Sequence, residues 1–267
     1  VDFASPVDLR AAFGSNSGTG RIMAVGAGAT TAASPVVAVI LDANGAELGT
    51  AIEITVVAAG GSPRVAYNAQ SNLFAVAYTL DTGGVEVKLY QPNGTQSGGA
   101  ISVTATAGEE IAGITAAGGA VQEFLVTYSN GTGVRARRID AQGAAVTGSV
   151  INVTTAGAGG ACGFEVAGSR YVVAAAGSSQ PQLFAIAPGA DTVSTGVNAA
   201  LAAAGAYVVG GTSGSVVVGA LNVYQGISSG ASGVTVFGGS LIPLLSGISI
   251  AFHTSDAAPA VASNGVD

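Results

Sequence analysis

Apolar residues along this chain come in short runs of period two, interrupted every few positions by glycine, serine, threonine or asparagine. Runs such as Leu73-Phe74-Ala75-Val76-Ala77-Tyr78 and Glu123-Phe124-Leu125-Val126-Thr127-Tyr128 read as β-strands, with tight turns between them. Helical periodicity is almost missing. The best local candidate, Ala199-Ala200-Leu201-Ala202-Ala203-Ala204, is closed by Gly205 within two turns.

The runs recur. The turn Leu41-Asp42-Ala43-Asn44-Gly45 returns as Tyr90-Gln91-Pro92-Asn93-Gly94 and as Ile139-Asp140-Ala141-Gln142-Gly143, with weaker copies at Gly189 and Gly239. These glycines step by 49, 49, 46 and 50 residues, and a second glycine follows each at 49, 98, 148, 196 and 247. A short strand comes next, for example Ile52-Glu53-Ile54-Thr55, Ile101-Ser102-Val103-Thr104 and Ile151-Asn152-Val153-Thr154. Upstream of each turn lie three more strands; in the second unit these are Arg64-Val65-Ala66-Tyr67, 73–78 and Val85-Glu86-Val87-Lys88-Leu89. In the fourth unit the first strand falls on Gly163-Phe164-Glu165-Val166. Four strands per unit at this period predict an all-β chain, a β-propeller of about five four-stranded antiparallel blades. The blades span about 8–55, 62–104, 111–154, 162–201 and 205–252 of a single domain over 1–253, followed by a flexible tail or linker over 254–267. One such sheet cannot hide both of its faces; blade against blade can.

The motif Ser62-Pro63-Arg64-Val65-Ala66-Tyr67-Asn68, followed by Asn72-Leu73-Phe74-Ala75-Val76-Ala77-Tyr78, resembles β-propeller repeats of bacterial surface proteins and of bacteriophage tail and virion proteins. The likeness covers all five units and is sharpest in the second and third. It implies a toroid that binds partners or builds an assembly, extracellular or in a virion, and it carries no catalytic residue over.

Composition sharpens this. Only 9% of residues are charged, against about 25% in ordinary globular chains. The deficit is uneven: 21 of the 23 charges lie at or before Asp191, and residues 192–255 carry none. That stretch is too often interrupted by Gly, Ser and Asn to make spanning helices, and 6% aromatic content without Trp is poor material for the girdles of a membrane barrel. A net charge of -7 argues against nucleic acid. One Cys and one His exclude disulfide frameworks and poly-histidine metal sites. No secretory signal is visible at Val1-Asp2-Phe3-Ala4.

Candidate chemistry is thin, and no cofactor, metal or catalytic residue is expected. Glu109-Glu110 is the only adjacent acidic pair, and neighbours on a strand or turn point apart, so solvated loop acids are the simpler reading. Glu165 and Asp8 occupy other first-strand regions. His253, with Ser255 and Asp256 nearby, lacks a nucleophile elbow; Cys162 reads as a small buried hydrophobe. Asn93-Gly94-Thr95, Asn130-Gly131-Thr132 and Asn152-Val153-Thr154 fit the glycosylation triplet that Asn-containing turns also generate. Arg135, Arg137 and Arg138 with Lys88 form the one basic cluster. Alternation puts Arg135 and Arg137 on one face, in line with Glu86 and Lys88, and Arg138 on the other, where the second unit has Leu89. These arginines are candidate contacts for an anionic glycan or a partner's acids, or else a salt-bridge ladder to Asp140 and Glu86 on an outer strand.

Two functions compete. The first is a non-enzymatic structural or binding module, an oligomer or part of a larger assembly, meeting other protein subunits through the bare region 192–255. The second is a lectin-like propeller binding a surface glycan, with Tyr67, Tyr78 and Tyr128 as repeated contacts.

Overall fold

The structure is a computed structural model that describes residues 12–16, 20–27, 34–57, 63–117, 121–142, 144–155, 160–162, 170–175, 182–198, 207–212, 215–223, 230–238 and 243–253. Expectations on the tail 254–267, on Asp8, Glu165, Ser255 and Asp256, and on the turn glycines 143 and 239 lie outside these residues. The chain divides into two compact units. One comprises Val1–Val126 with Arg137–Thr147, the other Thr127–Ala136 with Gly148–Asp267.

Every described element is a strand, and the strands form five four-stranded sheets, each with consecutive strands side by side. The first holds β1 (Ala12–Asn16), β2 (Arg21–Ala27), β3 (Ser34–Leu41) and β4 (Ile52–Val57); the second holds β5 (Arg64–Asn68), β6 (Leu73–Thr79), β7 (Val85–Tyr90) and β8 (Gln96–Thr104). The third is β9 (Glu110–Ala116), β10 (Glu123–Ser129), β11 (Val134–Asp140) and β12 (Ala145–Thr154). The fourth is β13 (Gly160–Cys162), β14 (Tyr171–Ala175), β15 (Gln182–Ile186) and β16 (Val197–Asn198). The fifth is β17 (Tyr207–Thr212), β18 (Ser215–Val223), β19 (Gly230–Gly238) and β20 (Pro243–His253). This is the all-β blade architecture of a β-propeller. In the fourth sheet β13 has its register set by Cys162 opposite Val173 and Gly160 opposite Ala175, and the expected strand 163–166 lies outside the described residues.

In the first unit the sheets stack through their inner strands. β5 lies against β1 and β2, and β9 lies against β5 and β6. The same step is repeated in the second unit, where β17 lies against β13 and β14. The contact between the first two sheets is apolar. Met23, Val25 and Ala27 of β2, Val36, Ala38 and Ile40 of β3, and Ile54 of β4 meet Val65, Phe74, Val76, Tyr78 and Tyr90 of the second sheet. Each bulky side chain removed from water there contributes about 1.5–3 kcal/mol. On β6, Phe74, Val76 and Tyr78 face this contact, yet Ala75 and Ala77 on the opposite face are also fully buried. The inner strands therefore read as continuous apolar runs, whereas the outer strand β8 buries only Ile101 and Val103 and exposes Gln96, Gly98, Gly99, Ala100 and Ser102.

The repeated turn is built by its own side chains. In the first sheet the Asp42 carboxylate accepts the Asn44 and Ala46 amides, each at 2.8 Å. These amides hold its carboxyl below the ordinary aspartate range. In the second, the Gln91 amide donates to the Thr95 carbonyl at 2.8 Å and the Gly94 amide to the Gln91 carbonyl at 2.9 Å. Gly94 has φ of +86°, the left-handed conformation that favours glycine, and a Cβ there would press on the movable Ile52 Cδ1 of the neighbouring sheet. In two of the three glycosylation-like triplets the asparagine builds the turn: Asn93 Oδ1 accepts the Thr95 amide and Asn130 Oδ1 the Thr132 amide.

Polar stitches complete the stacking. Asn68, fully buried at the end of β5, donates from Nδ2 to the carbonyls of Ala117, Val121 and Glu123 at 3.2, 3.0 and 3.1 Å. Its Oδ1 accepts the Gln70 and Ser71 amides of its own turn. A second stitch repeats at a step of 49: Lys88 Nζ donates to the Ile54 carbonyl, and Arg137 Nη1 donates to the Val103 carbonyl at 2.9 Å. Each cation on a third strand thus satisfies a carbonyl on the fourth strand of the preceding sheet.

Asn68→Ala is expected to cost about 2–4 kcal/mol, because it strands buried carbonyls as well as losing bonds. Asn68→Asp keeps the shape but sets a carboxylate against three carbonyl oxygens. Its folded-state pKa then rises, so the variant loses stability as pH climbs above the ordinary aspartate value, the opposite sign to Asp42. Urea unfolding of both variants at two pH values checks this. Asn68→Asp as stable as the parent at neutral pH would contradict it.

Candidate functional site

Several polar side chains gather at one end of the third sheet. Val121 and Gln122 lead into β10, Glu123 opens it, Arg138 and Asp140 close β11, and Gln142 and Thr147 follow. Together they line an open cleft of about 430 Å³. Arg138 Nη1 donates to Glu123 Oε2 at 2.7 Å, with both side chains about nine-tenths buried. Asp140 Oδ1 accepts the Gln142 amide at 2.9 Å, and the Ala141 amide donates to the Gln122 carbonyl at 2.9 Å, which ties the β11–β12 turn to the start of β10. Thr147 Oγ1 is buried without a hydrogen-bond partner.

The three arginines of the basic cluster therefore have different fates. β11 alternates as expected up to Arg137: Val134 and Ala136 are buried, and Arg135 and Arg137 are half-buried. Alternation then stops, because Arg138 and Ile139 are both buried. Strand β11 is third in its sheet, with β12 outside it. Arg137 reaches the Val103 carbonyl, Arg138 takes Glu123, and Glu86 accepts the Tyr78 hydroxyl at 3.1 Å. The arginine that reaches the cleft is Arg138.

The tyrosines also separate. Tyr67 is half-buried, tilted against Phe74 with ring centroids 5.0 Å apart, and donates to Asn72 Oδ1 at 2.8 Å. Tyr78 and Tyr128 are 1% exposed and belong to the packing. A ring so enclosed has no face to offer a sugar. Tyr90 and Tyr171 are enclosed likewise. Desolvation pushes the Tyr90 phenol up to about 12, and desolvation reinforced by the Glu86 carboxylate pushes Tyr78 further.

Glu109, expected as a solvated loop acid, is 2% exposed, and its carboxylate accepts the Thr104 hydroxyl; Glu110 is exposed. His253 ends β20 opposite Gly230, and Cys162 ends β13 opposite Val173. Among the described residues, no group of three His, Cys, Asp or Glu side chains is placed to hold a metal. No helix among them is long and apolar enough to cross a membrane.

Two outcomes follow. Removing one partner of the buried pair, as in Arg138→Met or Glu123→Leu, is expected to cost about 3–5 kcal/mol, and the double variant to recover most of it. Additive losses in chemical denaturation would contradict the pairing. In alkali, the Tyr78 and Tyr90 phenols bind their protons more tightly folded than unfolded, so their stabilisation is complete below pH ~10 and declines as pH rises towards 12. Tyrosinate absorbance should therefore rise in two stages, the second coinciding with loss of β-sheet circular dichroism. Smooth titration of all seven tyrosines near pH ~10, with the fold intact, would contradict this.

No family model and no curated protein matches the sequence. Solved structures do match the fold. The chain is similar to Kuenenia stuttgartiensis hydrazine synthase, with a TM-score of 0.54 at 12% identity, over 88% of this chain and 65% of that one. It is similar to a chain of a nidogen/laminin complex, with a TM-score of 0.54 at 10% identity, over 96% and 84%. It is also similar to AofleA from Arthrobotrys oligospora, with a TM-score of 0.58 at 11% identity, over 87% and 69%. The chain thus spans about two-thirds of the hydrazine synthase and AofleA chains. At such identities the likeness is one of fold, which these proteins put to different uses.

Proposed function

We propose that the protein is a non-catalytic β-propeller that binds other protein subunits, within a larger assembly outside the cell or in a virion. The contact surface is the charge-free region 192–255. One observation carries the reading: β17, β18, β19 and β20 make a complete four-stranded sheet without a single Lys, Arg, Asp or Glu. In the second sheet, by contrast, Arg64, Glu86 and Lys88 sit on the strands. The outer strand β8 of that sheet leaves five of nine residues exposed. The outer strand of the fifth sheet is Pro-Leu-Leu-Ser-Gly-Ile-Ser-Ile-Ala-Phe-His. Where such a sheet presents an uncharged face to solvent it associates, because exposed apolar patches beyond a few hundred Å² mark interfaces.

The chain alone is expected to self-associate as its concentration rises, with light scattering giving a mass above 25.4 kDa. Ser246→Lys with Ser249→Lys on β20 should shift the distribution back towards monomer without lowering the melting temperature. A parent chain that stays monomeric at millimolar concentration would contradict the reading.

A further inference from the structure

The cleft on the third sheet shares no residue with the region proposed for protein contact, 192–255. At a step of 49 residues Arg138 replaces Leu89, fully buried in the second sheet; Glu123 stands where the second sheet has Leu73 and the first sheet, in the same register, has Arg21. A buried apolar position has thus taken a guanidinium, which Glu123 pairs. Such an exchange costs desolvation of both ions and is commonly neutral or unfavourable for stability, so packing alone gives no reason for it. The pair also stands at the wall of an open polar space, beside a buried Thr147 hydroxyl that lacks a partner.

The lining selects among ligand classes. Glu123 and Asp140 disfavour an anion, and the Arg138 guanidinium disfavours a compact cation. The Gln122 and Gln142 carboxamides each offer a donor and an acceptor, and the Thr147 hydroxyl does both. Donors and acceptors are interleaved around one small cleft, with little net charge. A ligand that matches them carries groups that donate and accept at once, closely spaced on a compact frame. Neutral vicinal hydroxyls meet that demand. The planar guanidinium, carboxylate and carboxamide groups can each engage two adjacent oxygens. We infer that the cleft lined by Gln122, Glu123, Arg138, Asp140, Gln142 and Thr147 is a binding site for a neutral polyhydroxylated ligand, a sugar ring or its linear polyol. Arg138 acts from a position locked by Glu123, so little side-chain entropy is lost on binding.

The test uses the full chain, with methyl glycosides of glucose, galactose and mannose and with sorbitol as probes, followed by ligand-observed and protein-observed NMR. Glucosamine and glucuronate are the charged controls. At least one neutral probe is expected to bind in the millimolar range, shifting the amides of 121–123 and 138–147. Because Arg138 variants risk unfolding, the variants are Thr147→Val and Asp140→Asn, which leave the ion pair intact. Each should weaken binding about three- to tenfold with an unchanged melting temperature. No binding of any neutral probe, unchanged affinity in both variants, or tighter binding of glucosamine or glucuronate than of the neutral sugars would overturn the assignment. None of these outcomes bears on self-association, which is read by mass.

Discussion

A four-stranded sheet has two faces, and the inner strands of these sheets are apolar on both. That constraint governs the molecule. Phe74, Val76 and Tyr78 need a neighbour on one side of β6, and Ala75 and Ala77 need one on the other. Stacking sheet on sheet meets the demand, but it also buries backbone carbonyls at the sheet margins. Asn68, Lys88 and Arg137 satisfy them, each by crossing from one sheet to the next. The apolar contact supplies the driving force and the polar stitches fix the register in which the sheets meet.

What can be read from the amino acids follows from how local each feature is. The blade count and the turns are legible because Asn-Gly chemistry and period-two alternation are written within a few residues. Burial that depends on a neighbouring sheet is not. Tyr78 and Tyr128 read as repeated surface aromatics, yet both rings are buried, and β6 is covered on both of its faces. Asn68 stands in the repeat motif with no role evident from its neighbours in sequence. A signal exists all the same: Asn16 occupies the same register, opposite Arg21 as Asn68 is opposite Leu73. Arg138 likewise announces itself by occupying the position of Leu89, a buried leucine. A charge at such a place requires a partner, and comparing Leu73 with Glu123 finds it.

The two functional proposals rest on opposite departures from the repeat. In the third sheet, a buried apolar position has been traded for half of an ion pair beside a polar cleft; in the fifth, no strand carries a charge. Each departure is costly or hazardous in an isolated, solvent-facing blade, the first through desolvation and the second through association. Both become intelligible in a protein whose work is binding, and neither calls for a reacting group.

Hydrogen–deuterium exchange on the full chain, followed from dilute to concentrated solution, tests the central claim most directly. If the charge-free sheet is the contact surface, amides of 207–253 gain protection with concentration while those of β5–β8 stay unchanged. Protection that is independent of concentration along the whole chain, or that grows first on the second sheet, would contradict the account.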